Sequence, residues 1–354
     1  MKIRFLRGFA LAIAALAASV PLIHAAEILR PKVVVVAMFE PGKDTGDTPG
    51  ELQFWVEREK LDRVIPLPSA YHDVRANADG SVIAIVTGVG NTRAAATIMA
   101  LGSDARFDFS QSYWLVAGIA GIDPADGTLA CAVWAEWVVN GDLGHEIDPR
   151  EAPKDWPTGY VPLRRSKPYE LPRDTEDSSQ VFHLDAGLVN WAYELTKNVK
   201  LPDTEGMAKR RAEFTGSPNA QRAPWVMKGD TLSSETFWHG ALLNQWANEW
   251  VKYHTDGKGN YVTTAMEDTG TLQALTWLTR AGKADVRRAL VLRTASNFDS
   301  QPPAMTAAQS LFGEKFTDYS AYIPSLESAH RVGSVVVHEL VKGWAHYEKE
   351  LPRK

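Results

Sequence analysis

The sequence is poor in cysteine, has no clustered positive charge, and lacks a long apolar run beyond its first residues. Cys131 is the one cysteine among 354 residues, which excludes an internal disulfide and a CxxC metal site. Lys and Arg number 38 against 43 Asp and Glu. They gather in no segment, so nucleic acid is not an expected partner. The most apolar later stretch, residues 113–139, is broken by Asp123, Pro124, Asp126 and Glu136. It cannot supply the ~20 apolar residues of a membrane-spanning helix. There is no internal repeat or low-complexity tract, and nothing implies a metal or an organic cofactor.

The apolar run that is present lies at the start. Lys2, Arg4 and Arg7 precede an apolar stretch from Phe9 to Leu22, and the small residues Ala25 and Ala26 follow. This is the layout of a secretory signal peptide. Residues 1–25 are expected to be cleaved, leaving 26–354 as an acidic mature chain in the periplasm or the medium.

Continuous β-branched runs mark strands buried on both faces, as in a parallel sheet. Such runs fall at residues 33–39, 81–87, 113–117 and 288–294, with further strands expected at 129–140, 223–227 and 261–264. Gly118 to Gly121 reads as a turn closing the third strand. Helical patterns follow at residues 92–101, 184–199, 237–253, 269–280 and 332–348. Six prolines between Pro149 and Pro172 suggest a long ordered loop, inside an insertion near residues 145–222. The alternation predicts an α/β fold, a three-layer sandwich around a mixed, largely parallel sheet.

Ligands in such sheets sit at the carboxyl ends of strands. Thr87-Gly88-Val89-Gly90-Asn91 opens a helix whose amides can hold a hydroxyl or an anion, although glycine pairs are also common at plain turns. Met266-Glu267 sits between a strand and a helix. Glu267 either complements the helix dipole or accepts hydrogen bonds from the 2′- and 3′-hydroxyls of a ribose, with Met266 on the sugar face. Asn297 and Asp299 end a strand, either as Asx turns or as partners of a purine ring. Glu40 places a carboxylate just past the first strand. Tyr160, in the Pro-rich loop, either stacks on a base or pins the loop.

Taken in order, these motifs resemble the nucleoside phosphorylase superfamily, near methylthioadenosine/S-adenosylhomocysteine nucleosidase. The Phe39-Glu40-Pro41-Gly42 turn, the run from Gly141 to Asp148, the Trp156 loop and Glu267-Asp268-Thr269-Gly270 resemble the purine nucleoside permease family. The resemblance implies a purine nucleoside as ligand, with Met266 and Glu267 on the ribose and Gly88 and Gly90 beside the sugar; Asn91, Tyr160 and Asp230 are further candidate contacts. It also implies that Asn297 bonds the purine and helps protonate it as it leaves, with Asp299 a further catalytic candidate at the same strand end, and that Glu40 lies near the carboxylate that activates water. Superfamily phosphorylases hold phosphate around the turn reading Val116-Ala117-Gly118-Ile119 here, whose apolar side chains favour hydrolysis over phosphorolysis. A base-stacking Phe would be expected where Leu232 stands.

Two functions follow from this reading. One is an enzyme cleaving the N-glycosidic bond of purine nucleosides. The other is a nucleoside binder that delivers its ligand to a membrane uptake partner without catalysis. Self-association into a homo-oligomer is compatible with both. Glu40 is the expected discriminator: aimed at the sugar it favours the enzyme, and facing solvent it favours the binder.

Overall fold

A computed structural model describes residues 28–175, 179–313 and 321–353. The expected signal peptide, residues 1–25, lies outside the described residues. The chain enters the sheet with β1 (Val33–Ala37), and helix α1 (Gln53–Arg58) follows. Strands β2 (Arg63–Ile65) and β3 (Val74–Ala76) lead to β4 (Val82–Val86) and helix α2 (Asn91–Ser103). Then come β5 (Tyr113–Ile122), β6 (Ala132–Ala135) and β7 (Trp137–Asn140). A small hairpin of β8 (Gly144–Glu146) and β9 (Tyr160–Pro162) follows, and its second strand lies inside the region expected as a long loop. After it come β10 (Val181–His183), α3 (Ala186–Thr196) and α4 (Glu205–Ala212). The second half runs β11 (Val226–Lys228), β12 (Asp230–Ser233), α5 (Ala241–His254), β13 (Tyr261–Ala265) and α6 (Asp268–Arg280). It closes with β14 (Ala289–Phe298), α7 (Ala307–Phe312), α8 (Tyr322–Lys342) and α9 (Trp344–Tyr347).

The α/β fold follows from how these runs pair. β5 is central: it pairs parallel with β1 and β14 and antiparallel with β13. β4 extends the sheet beyond β1, and β12 pairs parallel with both β13 and β7. Antiparallel partners such as β10 on β7 and β3 on β4 make the sheet mixed. Val33 to Ala37 and Val82 to Val86 are fully or almost fully buried, as continuous apolar runs in a covered sheet must be. Helices α2 and α6 pack on each other, and α8 lies across β5 and β14.

Two departures from expectation bear on the site. Gly118 to Gly121 is not a turn but the second half of β5. A Cβ at Gly118 would stand 1.8 Å from Met38 Cε, 2.6 Å from Glu51 Oε1 and 2.7 Å from Arg293 Nη1. Glycine is needed there because functional side chains cross the strand. The strand expected at residues 129–140 breaks at Glu136. Asp230 Oδ1 accepts hydrogen bonds from the amides of Glu136 (3.2 Å) and Trp137 (2.8 Å), so β6 and β7 part to different neighbours.

Candidate active site

A pocket of about 490 Å³, continuous with solvent, opens where β5, β13 and β14 end. Its polar walls include Glu51, Glu267, Arg293, Ser296 and Asn297, and its apolar ones include Phe39, Ile119, Phe237 and Met266.

Glu51 reaches the pocket because the chain doubles back after β1. Its own amide donates to Phe39 O at 3.0 Å, which closes that loop. Glu51 Oε2 accepts from Met38 N and Oε1 from Ile119 N, both at 2.7 Å. Burial lifts its pKa to about 8 against the pull of Arg293, and neighbouring Glu267 adds to the rise. The loop is shaped by Glu40, whose carboxylate accepts from the amides of Gly50, Leu52 (2.9 Å) and Gln53 (2.7 Å). Glu40 is therefore a loop brace and does not line the pocket, so it is not the carboxylate that acts on the sugar, contrary to its expected place among the catalytic residues.

Glu267 stands at the start of α6 and is buried. Its Oε1 accepts from Gly90 N at 3.3 Å, its Oε2 from Arg293 Nη2 at 3.0 Å. Burial raises its pKa, with Arg293 opposing. Arg293 also donates from Nε (3.0 Å) and Nη2 (2.6 Å) to Asp268 Oδ1 and from Nη1 to Ile119 O (3.0 Å). Burial disfavours its charge, but Asp268 and Glu267 outweigh that and hold it firmly cationic. Asn297 follows a register shift in β14 between Ala295 and Asn297, a bulge that re-aims the side chain. Its Oδ1 accepts from Ser296 Oγ (2.9 Å) and its Nδ2 donates to Phe298 O (3.0 Å), so the amide is oriented at the pocket wall.

Met266, Glu267 and Asn297 thus line one pocket, and Gly90 is tied to it through its amide's hydrogen bond to Glu267. The other expected residues serve elsewhere. Gly88, at φ +81°, shapes the turn before α2. Asn91 Oδ1 accepts from Ser233 Oγ (3.0 Å), Thr269 Oγ1 (2.9 Å) and Gly270 N (2.9 Å), tying α2 to α6 rather than to a ligand. Asp230 is spent on the β6–β7 break and on Asn260 N (2.6 Å). Asp299 is fully buried, accepts from Tyr261 Oη and Asn244 Nδ2, and lies outside the pocket lining. Tyr160 stacks on Trp246 at 4.3 Å beside a separate cavity. Leu232 is buried in the core, and Phe237 supplies the aromatic pocket wall. Glu51 and Phe237 were missed. The signal for Glu51 was a carboxylate directly after the Pro49-Gly50 turn and before a helix. Among the described residues no helix is long and apolar enough to cross a membrane.

The family model described as purine nucleoside permease matches residues 30–352. A purine nucleoside permease of Candida albicans is 30% identical over 324 residues, which cover 90% of this chain and 76% of that protein. A probable purine nucleoside permease of Schizosaccharomyces pombe is 26% identical over 342 residues, 92% of this chain and 93% of that one. Among solved structures, the futalosine hydrolase of Helicobacter pylori matches with a TM-score of 0.52 at 13% identity, over 88% of this chain and 98% of its own. The 5′-methylthioadenosine/S-adenosylhomocysteine nucleosidase of Helicobacter pylori matches with 0.51 at 15% identity, over 87% and 99%. These structures share the fold of this chain.

Proposed function

The chain belongs to the purine nucleoside permease family, and from that premise we propose that it binds purine nucleosides in the Glu51–Glu267 pocket and cleaves their N-glycosidic bond with water. The observation that carries this reading is the placement of two buried carboxylates, Glu51 and Glu267, around one guanidinium at the pocket floor. Glu267 accepts hydrogen bonds from the ribose hydroxyls, and Met266 packs on the sugar. Phe237 offers a face to the base and Asn297 an amide to its edge.

Bond cleavage leaves positive charge on the sugar, which nearby carboxylates stabilise. Glu51 takes a proton from water as its oxygen bonds to the anomeric carbon. The glycosidic electron pair leaves with the base, which is protonated from solvent. A base with a pKa near 8 suits that work near neutral pH.

A second reading is suggested by the name its relatives carry: capture of nucleosides for uptake, without catalysis. It needs Glu267 but no carboxylate held at Glu51. Export through residues 1–25 belongs to both readings and would place the chain where extracellular nucleosides arrive.

Glu267→Gln tests the pocket. Charge-assisted hydrogen bonds contribute ~1.5–3 kcal/mol each, so nucleoside affinity or turnover should fall at least ~10-fold. Binding of the free base should be nearly unchanged. Nucleoside binding and turnover equal to those of the native chain would remove Glu267 from the site.

A further inference from the structure

The pocket contains the parts of an oxyanion site, and each part already holds a protein group. Arg293 is the one cationic side chain among the described residues lining the pocket. Its Nε and Nη2 are engaged by Asp268, its Nη2 also by Glu267, and its Nη1 by Ile119 O. Two helices start beside it, and helix starts ordinarily attract phosphate. At α2, however, Gly90 N donates to Glu267. Thr92 donates through N (2.6 Å) and Oγ1 (2.7 Å) to Glu235 Oε1. At α6, Thr269 N donates to Ser233 Oγ (3.2 Å) and Gly270 N to Asn91 Oδ1 (2.9 Å).

Among these groups Asp268 stands apart. It is fully buried, does not line the pocket, and has no contact to offer a sugar or a base. Its carboxylate lies behind the guanidinium, bound to it through two donors. With Glu267 it sets two negative charges against one positive, and Glu51 adds a third when ionised. A phosphate dianion entering this floor would be desolvated among like charges with no cation left over, which is costly.

We propose that Asp268 is the residue that closes this pocket to phosphate and other oxyanions, so that the only co-reactant admitted is neutral water. The choice of water rests on the hydrolytic reading above; the exclusion of anions is a property of the pocket and is measurable without turnover.

The probe is inorganic phosphate, followed by phosphorus NMR titration and by thermal melting, on the native chain and on Asp268→Asn. The native chain should show no saturable phosphate binding and no rise in melting temperature beyond the non-specific, non-saturating one that phosphate gives any folded protein. Asp268→Asn frees much of the Arg293 charge and should bind phosphate at least ~10-fold more tightly, the scale of one charged hydrogen bond. Phosphate should also raise its melting temperature. Should the variant fail to fold in phosphate-free buffer, native circular dichroism regained on refolding with phosphate is the same positive result. If it folds in neither buffer, Asp268→Ser is carried through the same titration. Saturable phosphate binding by the native chain, or a folded Asp268 variant that gains none, would overturn the proposal. Absence of base release by the native chain, with phosphate still excluded, would count against hydrolysis and leave the role of Asp268 standing.

Discussion

Glu40 and Glu51 have the same side chain and opposite tasks, and the difference is made by what surrounds each. Glu40 accepts three backbone amides and holds the loop; Glu51 accepts two and still faces the pocket. Glu51→Gln should therefore lower turnover by ~10²–10⁴-fold, the range for loss of a general base, while nucleoside still binds. The ionised form is the base, so the native rate should climb with pH and level off near the Glu51 pKa of about 8. Glu40→Gln removes charge from bonds worth ~1.5–3 kcal/mol each, so its main effect should be a lower melting temperature. A Glu40→Gln defect in turnover as large as that of Glu51→Gln, at an unchanged melting temperature, would reverse the assignment. At this scale the sequence was legible where a residue sits beside a strong strand signal, as Glu267 and Asn297 do. Glu51 was not, because its position depends on a loop that folds back through Glu51 N to Phe39 O, and such a contact has no periodicity to read.

Helices α2 and α6 start side by side, and their starts carry Gly90 and Glu267 to one place. Asn91 Oδ1 binds Thr269 and Gly270, and the backbone of Asn91 leaves no room for a side chain opposite. A Cβ at Gly270 would stand 2.1 Å from Asn91 O. Gly270→Ala must part the two helices, and overpacking of this kind costs about 1–3 kcal/mol. Because Glu267 moves with α6, KM for nucleoside should rise along with the loss of stability in denaturant titrations. A variant as stable as the native chain would show that the contact is softer than its geometry. Long buried strands were readable as continuous β-branched runs. The glycines of β5 misled, since glycine marks both turns and places where side chains cross a strand. Strands of three residues such as β8, β9 and β10 carry too little pattern to be seen, and the six prolines between Pro149 and Pro172 read as loop across β9.

The whole molecule folds with protons on buried acids that an unfolded chain would release. Burial lifts Glu51 to about 8 and Asp299 to about 7, the latter with Asp123 adding and Tyr261 opposing. Unfolded carboxyls titrate near ~4, so between these values the folded state holds more protons. Stability from these groups is complete below the unfolded values and is lost as pH rises through 7 and 8. The melting temperature should decline between about pH 6 and pH 8, and Asp299→Asn should flatten the decline. A melting temperature that rises across that window in calorimetry would contradict the buried-acid account. On the proposed reading the same acids define the chemistry: Glu51 and Glu267 make the pocket floor acidic, and Arg293, the one cation lining it among the described residues, is already paired.

The most direct test of the hydrolytic reading is incubation of the purified protein with inosine, adenosine and guanosine, each in phosphate-free buffer and in buffer with added phosphate. Free base and sugar are then separated by chromatography. The account predicts base release at the same rate in both buffers, with free ribose as the sugar product. Base release that depends on phosphate and yields ribose 1-phosphate would contradict it, as would no release of base in either buffer.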